Sequence, residues 1–321
     1  MTRNRPLAVL ALRAPRCSVQ NTSGPRCFCP WISRLFEEAD QEVFVANPRK
    51  LRAIYQNDRK SDKLDAQILA RLGRLDPNLL HPIQHQSEQA QRDLLQIKLR
   101  DNMVRQRVDI ISSVRCTLKS LGIKVTSSNT NYFSKRAREQ LSEDHSELLA
   151  MIEPSLQVID AMTKRIKELD KKIEQLAIDE YPEAQRLQQI RGIGPITALT
   201  FILTIGDPDR FAKSRDVGAY LGLVPKRDQS GDSDKQLRIS KAGDAYLRRL
   251  LVSGAQYILG PFGEDCDLRR HGLKLAERGG RSAKKKAVVA IARKLSVIMH
   301  TLWSQQSDYQ ALRTAELAEA A

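Results

Sequence analysis

Aromatic residues are scarce in this 321-residue chain: Phe, Trp and Tyr together make up 5% of it. Stacking on single-stranded bases is therefore a poor basis for whatever it recognises. Cysteine is sparse and odd in number, five in all (Cys17, Cys27, Cys29, Cys116 and Cys266). That count excludes a disulfide framework and suits a reducing cytoplasm. Cys27-Phe28-Cys29 has no second pair at zinc-ligand spacing, and the histidines show no metal-ligand pairing. No uninterrupted apolar run reaches the ~18 residues of a membrane span. Leu7–Leu12 falls short of the roughly 7–15 residues of a secretory signal core, and Arg13 follows it. Neither membrane insertion nor secretion is expected. Acids are missing from one place: there is no Asp or Glu between Met1 and Ser33.

Positive charge is in excess. The formal net charge is +15 and the pI about 9.7. A surface that basic favours a polyanionic partner, nucleic acid before membrane, bound through its phosphates. The length fits about two domains.

Residues 1–29 are rich in Arg, Pro, Cys and Ser without a sustained period, so poor order is expected there apart from a strand at Leu7–Leu12. From Pro30 the pattern sharpens. Pro30–Phe36 starts a helix, Glu42–Ala46 is a short strand, and Pro48–Ile54 is a second helix. In Lys60-Ser61-Asp62-Lys63-Leu64-Asp65-Ala66, Ser61 caps a helix running to about Gly73. Asp62 and Asp65 share one face of its first turn. That placement suits half of a divalent-metal site for phosphoryl chemistry, and equally the preference of acids for a helix N-terminus. Two long helices follow, about Gln86–Leu121 and Glu143–Ala177, with a loop at 124–135 between them and Pro154 as a candidate break. One carries the stripe Val104, Val108, Ile111, Val114, Leu118 and Leu121, the other Ile159, Met162, Ile166, Leu169, Ile173 and Leu176. The spacing predicts an antiparallel coiled-coil hairpin or a seam between two copies. Arg100, Arg105, Arg107 and Arg115 are expected on outer faces.

Tyr181-Pro182 opens a C-terminal domain. Gly192-Ile193-Gly194 before an apolar helix, Thr197–Ile205, resembles the hairpin of a helix-hairpin-helix element, in which backbone N–H groups face a DNA phosphate; a plain tight turn reads the same way. Ser214 is expected to cap a helix through Tyr220. Leu221–Leu251 concentrates the chemistry. A polar, turn-rich segment holds Ser230-Gly231, and Lys226, Arg227, Arg238, Lys241, Arg248 and Arg249 lie around it in sequence. A hydroxyl on a turn among cations is what a phosphodiester-attacking serine needs. Asp228-Gln229-Ser230-Gly231-Asp232 is also ordinary turn chemistry. Helices at Tyr246–Leu259 and Asp267–Glu277 precede a basic loop with Lys284, Lys285 and Lys286, which feeds a last helix, Ala287–Trp303.

Taken together and in this order, Lys60–Ala66, Gly222-Leu223-Val224-Pro225, Ser230-Gly231, Ile239-Ser240-Lys241-Ala242-Gly243-Asp244 and Leu247-Arg248 resemble an insertion-sequence transposase of the IS-one-ten type. The likeness runs from about Pro30 to Trp303. It implies an α+β, mostly α architecture: an incomplete RuvC-like (RNase H-like) α/β domain at 30–83, a coiled-coil helical hairpin at 84–180, a helical serine transposase domain at 181–304 and a tail at 305–321. It implies DNA strand transfer, with Ser230 as nucleophile and Ser240 as second choice. Asp62 and Asp65 match the last two acids of a DEDD set that binds Mg²⁺. The implied partners are double-stranded DNA, a structured guide RNA, and further copies of the chain in a dimer or tetramer joined through the coiled coil. The implied location is cytoplasmic, at the bacterial nucleoid.

The family's first Asp lies on an opening strand and its Glu ends a strand just before the helix of Trp31. Met1–Ser33 supplies neither. The expectation is that residues 1–29 come from a shifted or wrongly started frame and that this copy is catalytically impaired, a DNA- and RNA-binding protein without chemistry being the alternative. Glu37 and Glu38 are the nearest substitutes, but they lie past the family position.

Overall fold

The computed structural model describes residues 7–10, 30–47, 50–51, 61–126, 129–142, 145–230, 233–280 and 282–312. The expected helix at Pro48–Ile54 and the loop tip at 127–128 lie mostly or wholly outside them. The described chain is mostly helical, with two small sheets. It divides into two compact units, one drawn from 1–88 and 208–300, the other from 89–207 and 301–313.

In the first unit, strand β1 (Leu7–Leu10) pairs in parallel with β2 (Glu42–Val45), from Leu7 opposite Glu42 to Leu10 opposite Val45. Helix α1 (Pro30–Glu38) lies between them in the chain, as a parallel pair requires a crossover. Helix α2 (Asp62–Leu75) begins where the sequence predicts: Ser61 is extended and its Oγ accepts a hydrogen bond from the Leu64 N–H at 3.2 Å. Leu69 and the half-buried Leu72 face Ala46, Leu51 and Leu80. Leu80 belongs to a 3₁₀ turn, Pro77–Leu80, tied to β2 through Asn47 N–H to Leu80 O and Ile83 N–H to Val45 O.

The second unit is built on α3 (Glu88–Ser120), α4 (Phe133–Leu141) and α5 (Ser146–Asp179). α3 and α5 run antiparallel within one chain: Arg100 pairs with Asp170, and Arg107 reaches Thr163. As one partner number rises the other falls by the same step. The sequence reading places 133–135 in the loop and no helix over 136–142, although Phe133, Ala137 and Leu141 repeat every fourth residue; all three are buried with Ile111, Val114, Leu118, Leu156 and Ile159. α5 continues through Pro154 without the expected break. The stripes shift as well. Val108 and Leu121 are exposed. Arg107 takes the seam position, 6% exposed, donating to Asn131 Oδ1 at 2.8 Å, Thr163 Oγ1 at 3.1 Å and Thr130 Oγ1 at 3.1 Å. Neutral oxygens satisfy two of its nitrogens, so a guanidinium can occupy a position that periodicity reserves for an aliphatic side chain. Burial, and then Arg100, hold its pKa below the ordinary value, with Asp170 opposing. At the open end, the Tyr181 hydroxyl donates to Asp93 Oδ2 at 2.7 Å.

Helix α6 (Glu183–Leu187) leads to α7 (Pro195–Ile205), which is buried from Thr197 to Ile205 and packs on α5 and α6. Back in the first unit come α8 (Asp216–Tyr220), strands β3 (Pro225–Ser230) and β4 (Ser233–Ile239), and helices α9 (Ala245–Leu259), α10 (Asp267–Ala276) and α11 (Ala283–Ser304). A Cβ on Gly272 of α10 would collide with Leu259 and Ile291, so these three helices meet at that glycine. Ser214 does not cap α8. Its Oγ lies 3.0 Å from Nδ1 of buried His300, whose Nε2 is 2.9 Å from Pro208 O. With Nε2 donating to the carbonyl, Nδ1 accepts the serine proton. Helix α11 is long and apolar enough to cross a membrane by length and composition, against the expectation that nothing here is. Its apolar residues form one buried stripe (Ala287, Ile291, Leu295 and Met299), which is the pattern of a core helix.

Two predictions follow from the second unit. Arg107→Ala should lower the unfolding free energy by about 2–4 kcal/mol in urea titrations, and Arg107→Met by less, because the methionine refills the volume. Burial and the Asp93 bond raise the Tyr181 pKa. A raised pKa gives stability that is complete below the unfolded value of about 10 and lost as pH climbs above it. The melting temperature of wild type should therefore fall more steeply above that pH than that of Tyr181→Phe.

Candidate active site

The segment expected as a loose turn is a β-hairpin. β3 and β4 pair antiparallel from Pro225 opposite Ile239 to Ser230 opposite Ser233. Polar residues on both faces left no alternation to read. Between Pro225 and Arg227 the register shifts, so that Leu237 and Arg238 together oppose Lys226, a bulge that twists the ribbon. Lys226, Arg227 and Arg238 are exposed along it, and Ser230 is the last residue of β3.

The ribbon's root is where packing is tight. Ser240 N–H donates to Val224 O at 2.9 Å and Lys241 N–H to Gly222 O at 3.1 Å. These two bonds carry the strand pairing into Gly222-Leu223-Val224-Pro225 on one side and Ser240-Lys241-Ala242-Gly243-Asp244 on the other. Backbone lies on backbone here. A Cβ on Gly222 (φ 70°) would enter the Ala242 backbone, and one on Gly243 (φ 70°) would enter the Tyr220 carbonyl. Lys241 also adopts positive φ, 54°, which costs a non-glycine residue about 1–2 kcal/mol. Asp244 then caps α9, its Oδ1 accepting from Leu247 N–H at 2.8 Å.

Of the cations expected around Ser230, Arg248 does something else. It is 8% exposed, and its Nη1 donates to Leu221 O at 2.9 Å and to Ala242 O at 2.6 Å. Its charge is spent inside the root. Lys241 and Arg249 are exposed at its edge, Arg249 lying over the Tyr246 ring at 5.1 Å. Ser240 Oγ is 3.4 Å from Ala242 N–H, a local turn bond. Lys284, Lys285 and Lys286 form the exposed first turn of α11 rather than a loop before it. Gly192 (φ 90°) and Gly194 belong to the other unit. Gly194 is the extended N-cap of α7, and a Cβ there would meet nothing within 4 Å, so this backbone stands open.

For a metal, Asp65 is informative. It lies one helical turn before Leu69 on the core-facing side of α2 and is 7% exposed. Its Oδ1 is buried with no hydrogen-bond partner among the described residues. A buried carboxylate oxygen without a donor fits a cation ligand. Asp62 precedes it by one turn. No group of three His, Cys, Asp or Glu gathers among the described residues. β1, which α2 lies against, reads Leu-Ala-Val-Leu and brings no carboxylate. Glu37 and Glu38 are exposed on α1.

Sequence reasoning missed the hairpin, the closure at Gly222 and Gly243, and the inward role of Arg248. The paired glycines were a usable signal; nothing marked Arg248 apart from its neighbour Arg249.

Comparison with known proteins bears on the same two regions. Residues 24–123 match a transposase family model of the DEDD type, and residues 184–262 match the family described as Transposase IS116/IS110/IS902. The transposase for insertion sequence element IS1111A of Coxiella burnetii is 30% identical over 80% of this chain and 70% of its own length. A probable family 20 transposase of Pseudomonas aeruginosa is 28% identical over 87% of this chain and 82% of its own. A pilin gene-inverting protein of Moraxella lacunata is 32% identical over 45% of each. By these matches, and by the order of its motifs, the chain belongs to the IS110 family of insertion-sequence transposases.

Proposed function

We propose that the chain carries out DNA strand transfer through Ser230. The observation that carries this reading is the closed root at Gly222, Gly243 and Arg248: rigid packing supports a polar ribbon that ends at Ser230, with exposed cations along it. In the reaction, Ser230 Oγ loses its proton and bonds to phosphorus. The bond from phosphorus to the leaving sugar oxygen breaks, and that oxygen takes up a proton. The phosphoserine keeps the bond energy, so rejoining by reversal needs no ATP. Lys226, Arg227, Arg238, Lys241 and Arg249 hold the strand by its phosphates, and Ser240 is the second candidate nucleophile. Asp62 and Asp65 would hold Mg²⁺, which would supply charge to stabilise phosphoryl oxygens. Lys284, Lys285 and Lys286 contact nucleic acid as well, and in the other unit so does the backbone at Gly192 and Gly194. A structured guide RNA selects the DNA. The α3–α5 pair is the coiled coil, and it joins copies into a dimer or tetramer that works in the cytoplasm at the nucleoid.

A second reading, binding without strand transfer, has its own support: Met1–Ser33 contains no acid to complete the set with Asp62 and Asp65.

Trapping of a covalent protein–DNA adduct separates the two. With guide RNA and Mg²⁺ supplied, wild type should form an adduct that EDTA prevents and Ser230→Ala abolishes. An intact protein that binds DNA and yields no adduct supports the second reading, and an adduct surviving in Ser230→Ala moves the role to Ser240. Lys241→Gly should keep or raise stability, by up to about 1 kcal/mol, because glycine accepts positive φ without strain. The same change should weaken DNA binding and lower its salt dependence by about one phosphate contact.

A further inference from the structure

We propose that Arg248 is a positioning residue, which fixes the backbone that carries the nucleophile and makes no phosphate contact. The inference rests on the Ser230 reading for its catalytic consequence and on geometry for the rest. Arg248 stands on the first turn of α9, the helix that Asp244 caps. From there a single nitrogen, Nη1, accepts two duties: it donates to Leu221 O, just before the Gly222 seam, and to Ala242 O, just after Lys241. A third, longer contact runs to Asp244 O at 3.5 Å. The two main carbonyls lie one on each side of the root, just beyond the Lys241–Gly222 bond. One cation thus closes both ends of the ribbon's root onto one helix.

The chemistry at that point asks for a cation. Closing the root turns two carbonyl oxygens towards the same small volume, and their dipoles would repel without a donor between them. Backbone is packed on backbone beside them, since Gly222 admits no Cβ against Ala242. A phosphate contact would require the guanidinium to leave both carbonyls and reach solvent from an 8% exposed position. Arg249, its neighbour, is exposed at the edge of the root, over the Tyr246 ring. Beyond the root, the hairpin has no apolar face of its own, and an isolated two-stranded ribbon is marginal in water. The direction of β3, and with it the position of Ser230, is therefore set by the root. A displacement of about 1 Å at a reacting group costs about 100-fold in rate.

The test uses the full chain with Arg248→Met, Arg248→Lys and Gly222→Ala. The last variant opens the same seam from the other side and changes no charge. Amide hydrogen exchange at Ser240 and Lys241 should speed up at least about tenfold in Arg248→Met and Gly222→Ala, since opening of the root is what both variants promote. It should stay near wild type in Arg248→Lys, whose ammonium can donate to both carbonyls. DNA affinity and its salt slope should be unchanged in all three. Adduct formation at saturating DNA should fall about 100-fold in Arg248→Met and recover to within about tenfold of wild type in Arg248→Lys. The proposal is overturned if Arg248→Met leaves exchange at Ser240 and Lys241 unchanged, or if it lowers the salt slope by about one contact while the rate at saturation stays normal. If Arg248→Met fails to fold, the comparison of Arg248→Lys with Gly222→Ala decides: equal opening in both sinks it. Should wild type form no adduct, the Ser230 reading fails while the exchange and salt measurements still judge Arg248.

Discussion

The bonds from Arg248 to the carbonyls of Leu221 and Ala242 tie the base of the hairpin to α9, and what lies beyond them is weakly self-supporting. β3 and β4 are polar on both faces and pair only with each other. Such a ribbon gains little from apolar burial, and its conformation is inherited from its base. At the base the chain spends its most restrictive features together: glycines at positive φ against backbone, a lysine in the left-handed region, a capped helix start and a buried cation. Each alone is a local detail. Together they over-determine one arrangement, which is the condition under which backbone strain such as that of Lys241 persists.

The second unit solves a different problem with the same residue type. Arg107 occupies a seam between two long helices, where an aliphatic side chain would pack as well by volume. It gives instead a set of directed bonds to Thr130, Asn131 and Thr163. Leucines in a two-helix seam tolerate sliding by a heptad; a fork bonded to a loop and to the opposing helix does not. Arg100 with Asp170 repeats the device further along, and Tyr181 with Asp93 closes the end. The register of the helix pair is thereby fixed at three separated points by polar contacts, while Ile111, Val114, Leu118 and Ile159 supply the burial.

Much of this was legible in the sequence, and the failures share a cause. The long helices, the Ser61 cap and the apolar C-terminal helices followed from periodicity and capping chemistry, which are local. Helix Phe133–Leu141 was legible in principle, since its apolar residues repeat every fourth position, but the polar residues around it read as loop. The hairpin was not legible, because its residues are polar at successive positions and so show no period of two. Arg107 is expected on an outer face and Arg248 among the phosphate-facing cations around Ser230, because arginine usually stands in one place or the other. The partners of Arg107 lie 23 to 56 residues away, and those of Arg248 include a carbonyl 27 residues away, which no local rule contains. For the candidate site, the motif glycines located the seam while the roles of the two adjacent arginines could be separated only by the position of their side chains.

The acids of the N-terminal segment show the same logic from the opposite direction. Helix α2 orients Asp65 inward for the reason it orients Leu69 and Leu72 inward: they share a face that must cover β2 and Leu80. A carboxylate on a core-facing stripe is costly unless something compensates it, and its Oδ1 has no donor among the described residues. Simple packing would favour an apolar residue there, so the acid stands at a cost to local stability. The strand that α2 lies against reads Leu-Ala-Val-Leu and brings no carboxylate. Asp65 is thus a buried acid on the face that packs the core of this segment, with no donor to its Oδ1 among the described residues.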